Sequence, residues 1–124
     1  MKIAEVINMV DALKPNAYTQ KEKIRWLSNL DSRVKVQIMD VHEDNQHTDF
    51  KGYNNLTELG TELLVSEPYD EMYLRWLEAM IDYNNGDDDR YNSAIILFNS
   101  AYESYKRYYT RTHTPLSQGD RFVF

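Results

Sequence analysis

Between Leu64 and Arg111 the chain reads LVSEPYDEMYLRWLEAMIDYNNGDDDRYNSAIILFNSAYESYKRYYTR, a pattern that fits two long helices joined by one tight turn and little else. Tyr69, Met72, Tyr73, Trp76, Leu77, Met80 and Ile81 recur at steps of three and four, so they share one stripe, with Glu78 and Asp82 expected to point away. Ser66 offers a hydroxyl to the unpaired N–H groups of a first turn, Pro68 has a φ suited to it, and Asp70 and Glu71 complement the dipole. The first arm is therefore expected to begin there. Asn84-Asn85-Gly86 stops it, because Asn and Gly tolerate the left-handed conformation that commonly ends a helix. After Asp87-Asp88-Asp89, Tyr91, Ala94, Ile95, Phe98, Ala101, Tyr102, Tyr105, Tyr108 and Tyr109 repeat the same steps. Two such stripes can face each other as an antiparallel αα-hairpin.

The remaining segments read as elements packed on that hairpin. Ile3, Val6, Ile7, Val10 and Leu13 give a short first helix that Lys14-Pro15-Asn16 ends. Thr19-Gln20-Lys21-Glu22 is a capping box and opens a long second helix. Its buried face is expected to be Ile24, Leu27, Leu30, Val34, Ile38 and Val41, with Lys23, Arg25, Arg33 and Lys35 outward. Trp26 falls off that stripe and serves either to cover the first helix or to anchor another subunit. Residues 43–65 show no sustained period, which predicts a long loop, with a short helix or hairpin inside it as the alternative. Phe50 and Tyr53 make it apolar enough to order on a partner. Past Pro115 and Gly119, Arg121-Phe122-Val123-Phe124 is an apolar end that either adds as a strand to a neighbouring subunit or frays. The expected fold is all-α: one helical domain over residues 1–112, and an extended tail over 113–124.

Charge is unevenly spread. Residues 1–35 carry seven Lys/Arg against four Asp/Glu, residues 36–104 three against fifteen, and residues 105–124 four against one. Basic ends around an acidic middle suit head-to-tail contacts between copies and argue against a DNA binder that uses its whole surface. Ten tyrosines supply much of the 42% hydrophobic content, and amphipathic tyrosine is common where a core meets a partner. With no cysteine there is no disulfide framework or thiolate metal site, as expected of a reducing cytoplasm. No apolar run approaches membrane-spanning length and no signal-peptide pattern opens the chain.

Chemistry-bearing motifs fail on spacing. His42 and His47 are five apart, which does not place them on one helix face, and no HExxH is present. A calcium loop starting at Asp87 would need Gly at its sixth position and Glu at its twelfth, where Asn92 and Phe98 stand. There is no Glu-x-x-His pair, Gly-rich phosphate loop or nucleophile motif. The expectation is a non-enzyme without metal or cofactor. Lys106, Arg107 and Arg111 interleave with tyrosines as a nucleic-acid surface would, and they also stand where a helix C-terminus favours cations.

Taken together, Glu67-Pro-Tyr-Asp70, Tyr73, Leu77-Glu-Ala-Met-Ile81, Gly86, Arg90-Tyr-Asn92, Phe98-Asn99, Tyr102 and Arg111 resemble the small head-to-tail connector (adaptor) proteins of tailed phages and prophages of Gram-positive bacteria. Glu5-Val6-Ile7, Asp11, Lys14-Pro15-Asn16, Lys23 and Arg25-Trp26-Leu27-Ser28 are similar to the same group. The resemblance weakens across residues 43–60 and past Pro115. It implies a non-catalytic helical subunit of a ring bound beneath the portal protein, meeting the next head-completion or tail protein, with double-stranded DNA passing through. A soluble regulator or protein-binding module, and less so a DNA-binding module, are the other readings.

Overall fold

The structure is a computed structural model and describes residues 1–43, 47 and 49–116. The fold is all-α. Its helices are α1 (Ile3–Leu13), α2 (Gln20–Val34), α3 (Glu71–Asn84) and α4 (Asp88–Thr112), and α2 runs on without a break into a π-helical turn, Lys35–Met39. Among the described residues the only β pairing is two isolated antiparallel bridges, Lys2 with Glu62 and His42 with Pro115.

The hairpin of α3 and α4 is the most extensive helix pair. Its ring contacts run in opposite order along the two arms: Tyr83 meets Tyr91 at 5.4 Å, Trp76 meets Phe98 at 4.9 Å, and Tyr69, just before α3, meets Tyr105 at 5.8 Å. The pair is therefore antiparallel. Gly86 makes the turn possible with φ +73°, a conformation that costs other residues energy, and the Asp87 carboxylate caps α4 by accepting from the Arg90 N–H at 3.2 Å. The start of α3 differs from expectation. It begins at Glu71 with Asp70 as N-cap, and Ser66 instead closes a turn whose carbonyl accepts from Tyr69 N–H at 3.0 Å. Pro68, in cis after Glu67, precedes the helix altogether.

The capping box of α2 forms as read: Thr19 Oγ1 accepts from Glu22 N–H, and Glu22 Oε1 from Thr19 N–H, both at 3.1 Å. The backbone hydrogen bond from Thr19 holds the Glu22 carboxyl below its ordinary range. After α1, the Asn16 amide donates to the Lys14 carbonyl at 2.9 Å and its oxygen accepts from Tyr18 N–H at 3.1 Å, turning the chain towards α2.

Ile3, Val6, Val10, Leu27, Leu30, Val34, Ile38, Met72, Leu77, Ile81 and Phe98 form the centre of one core drawn from all four helices. The π-helical turn explains why Ile38 and Met39 are both buried there while Val41 is only half-buried. One extra residue in that turn rotates the later side chains out of the register that Leu27, Leu30 and Val34 set.

Two charged residues placed outward by the sequence pattern lie inside. Lys23 is buried, donating from Nζ to Asp11 Oδ1 at 2.7 Å and to the Tyr18 carbonyl at 2.9 Å, which ties α2 to α1. Asp82 is buried and accepts from Lys14 Nζ at 2.5 Å, which ties α3 to the end of α1. In both cases the partner is a residue far enough away that helix periodicity carries no trace of it.

Candidate functional site

Asp31 is the polar centre of the interior. It stands on the apolar stripe of α2, between Leu27 and Val34, and is fully buried. Its Oδ2 accepts from the Tyr53 hydroxyl at 2.5 Å and Leu64 N–H at 3.0 Å, and its Oδ1 accepts from the Tyr73 hydroxyl at 2.6 Å. The Tyr73 oxygen in turn accepts from Val65 N–H at 2.7 Å. Burial pushes the Asp31 carboxyl above its ordinary range, against the three hydrogen bonds that favour its charged form. Burial and the Asp31 charge push both tyrosine hydroxyls up as well, so they remain donors. The network therefore has a structural task, fastening two points of the long loop to α2 and α3.

That fastening decides the fate of the loop residues singled out from sequence. Tyr53, expected to meet a partner, is turned inward on Asp31, and its N–H also donates to Ser28 Oγ at 2.9 Å. Phe50 packs edge-on against Tyr53 with ring centroids 5.1 Å apart. The loop thus orders on its own domain, without helix or strand among its described residues. Trp26 is also internal, only 6% exposed, stacked edge-on with Tyr18 at 5.4 Å; its carbonyl accepts from Trp76 Nε1 at 2.9 Å. It is a core residue joining α2 to α3, and no surface anchor. Arg121, Phe122, Val123 and Phe124 lie outside the described residues.

Lys106, Arg107 and Arg111 are all exposed near the C-terminal end of α4 and border one shallow depression with Glu103 and Thr110. Arg107 and Arg111, four residues apart, share the face opposite Tyr105 and Tyr109. Behind that inner face lies a cleft of about 370 Å³, walled by Tyr69, Tyr105, Tyr108 and Tyr109 and edged by Glu43 and Glu67. Tyr69 stacks on Tyr108 at 4.7 Å, and His113 stacks on Tyr109 at 3.6 Å. The chain following α4 closes one edge, because Glu43 N–H donates to the Thr114 carbonyl at 2.8 Å and Leu116 N–H to the Val41 carbonyl at 3.0 Å. The tyrosine stripe was legible in the sequence, with Glu67 two residues before Tyr69, but Glu43 reaches it only through the path of the loop.

On the outer side of α4, Ile96 and Leu97 are 65% and 51% exposed. His42 is buried with its Nδ1 donating to the Ile38 carbonyl at 2.7 Å, a structural role. Among the described residues no group of three or more His, Cys, Asp or Glu is placed to hold a metal ion, and no helix is long and apolar enough to cross a membrane. Compared with protein-family models, curated proteins and solved structures, the chain matches none.

Proposed function

We propose that this chain is a structural subunit of the head-to-tail connector of a tailed phage or prophage, one of a ring of copies beneath the portal that extends the DNA channel. The observation that carries the reading is the outer surface of α4. This 25-residue helix is roughly 37 Å long, has Asp87, Asp88 and Asp89 at one end and Lys106, Arg107 and Arg111 at the other, and exposes Ile96 and Leu97 between them. Exposed large apolar side chains framed by separated charges suit a helix covered by neighbouring subunits. The resemblance of the residue pattern to connector proteins supports the same reading. Its partners are then other copies, the portal protein and the next head-completion or tail protein, in the host cytoplasm during assembly and in the virion afterwards. The acidic turn at Asp87–Asp89 would face DNA that slides past without sequence-specific contact. The protein has no catalytic task in this scheme.

The test is to induce the source culture, separate particles on a density gradient and probe DNA-filled heads, tails and the soluble fraction for this chain. A fixed low ratio to portal in filled heads is expected. Recovery in the soluble fraction alone would remove the virion role and leave a regulator or protein-binding module, for which Ile96 and Leu97 are an equally suitable contact. DNA affinity that falls with salt and on replacing Lys106 and Arg107 would instead mark a DNA-binding module.

A further inference from the structure

The tyrosine cleft has the composition of a cation receptor. Tyr69 and Tyr108, both half-buried, stand in its wall, and Glu43 and Glu67 stand at the rim with no ion-pair partner among the described residues. Among the described residues no Lys or Arg lines it; besides the tyrosines and the two glutamates, its ionisable side chains there are His47 and His113. Aromatic faces with nearby carboxylates favour a guanidinium or ammonium group, and this fold already uses that chemistry internally, with the Arg33 guanidinium 4.8 Å from the centroid of the Tyr102 ring.

The matching cations are on the same helix. Arg107 and Arg111 project from the face of α4 opposite Tyr105 and Tyr109, at the same level of the helix, and neither forms an ion pair among the described residues. Neither lines the cleft of its own chain. A second copy can supply them. We propose that the cleft edged by Glu43 and Glu67 receives Arg107 and Arg111 of a neighbouring copy, so that donor and receptor occupy opposite sides of one helix end. Such a contact uses different patches on its two partners, and each copy keeps one of each free for the next. It therefore propagates from copy to copy, and closes into a ring when the rotation permits. This deepens the connector reading by naming the contact between subunits, and rests on it for the ring.

The cysteine-free sequence allows a direct test on the full chain. Ser66 lines the cleft and Thr110 lies between the two arginines, so the double variant Ser66→Cys/Thr110→Cys keeps every charge of the proposed contact. Mild oxidation of concentrated protein should give a ladder of dimer, trimer and larger species, while each single variant stops at dimer. Adding Arg107→Glu and Arg111→Glu should cut the ladder by about tenfold or more, since like charges would then face each other. Adding Glu43→Lys and Glu67→Lys to that protein should restore it. Circular dichroism on each variant establishes that it is folded. A ladder no stronger than that of the control pair Asn84→Cys/Thr110→Cys, or one unmoved by charge reversal in folded protein, would overturn the contact. A charge-dependent ladder from a protein missing from virions would keep the contact and remove the connector; virion incorporation without the ladder would do the reverse.

Discussion

The Tyr73 hydroxyl donates to Asp31 at 2.6 Å and accepts from Val65 N–H at 2.7 Å, so one side chain of α3 carries both α2 and the loop. Removing the carboxylate leaves the Tyr53 hydroxyl, Tyr73 hydroxyl and Leu64 N–H without their acceptor in a site closed to water. Each such loss costs about 1–3 kcal/mol, so Asp31→Ala should lower unfolding free energy by at least about 3 kcal/mol. Tyr53→Phe, which removes a single donor from a half-buried position, should cost about 1 kcal/mol. Urea denaturation followed by circular dichroism measures both, and equal costs would contradict the central place given to Asp31.

Asp31 also sets a pH dependence of unusual sign. Its carboxyl is raised by burial, so the folded state binds that proton more tightly than the unfolded chain does. Its contribution to stability is complete below the unfolded value of 3.8 and is lost as pH rises through the folded value. Asp11 acts oppositely: burial pushes it up, but the Lys23 and Asn16 hydrogen bonds and the Lys23 charge outweigh burial and hold it low. Its contribution is present above 3.8 and is lost as pH falls through the lowered value. The cost of Asp31→Asn, measured by denaturation at a series of pH values, should therefore be larger near pH 4 than at pH 7. A cost that shrinks on acidification would reverse the assigned shift.

The pair of Lys14 and Asp82 joins the end of α1 to α3, with the aspartate buried and the lysine partly exposed. Lys14→Met should cost roughly 2–3 kcal/mol, below the range for fully buried pairs because water screens the lysine. Adding Asp82→Asn should recover part of that loss, since the uncompensated charge goes with it. Thermal unfolding of the two singles and the double gives the coupling, and additive losses would show that the pair is not acting as one.

Gly52 and Gly60 provide an internal contrast. At Gly52 φ is +95° and an added Cβ would stand 2.8 Å from Ser28 Oγ, the atom that accepts from Tyr53 N–H. At Gly60 an added Cβ meets nothing within 4 Å. Gly52→Ala should destabilise by about 1–3 kcal/mol through strain and a displaced hydrogen bond. Gly60→Ala should stay within about 0.5 kcal/mol of the parent. Equal melting temperatures for the two variants would remove the close approach of loop to α2.

What could be read from sequence was what neighbouring residues decide. The Thr19–Glu22 box, the stop at Gly86 and the facing stripes of α3 and α4 each depend on residues within a few positions of one another. Burial of Lys23, Asp31 and Asp82 depends on Asp11, Tyr53, Tyr73 and Lys14, whose approach is a property of the assembled fold. Asp31 and Lys23 left a signal, charged residues in the register of Leu27, Leu30 and Val34 where core residues belong. For the site, the exposed bases on α4 were visible, whereas the cleft opposite them needed a loop whose route no periodicity describes. The start of α3 was misplaced because Ser66 and Pro68 have the right chemistry for a cap but are used in the turn before it.

Asp31 also bears on what would follow if the backbone were cut. Tyr53 and Leu64, on either side of the exposed Leu56, are both hydrogen-bonded to that one carboxylate. A protease that cleaves beside Leu56 would separate the chain covalently while leaving each new end fastened to the same side chain. The two pieces, one bearing α1 and α2 and the other the hairpin, would stay together as a complementing pair, and the same site would accept an inserted peptide tag without loss of the fold.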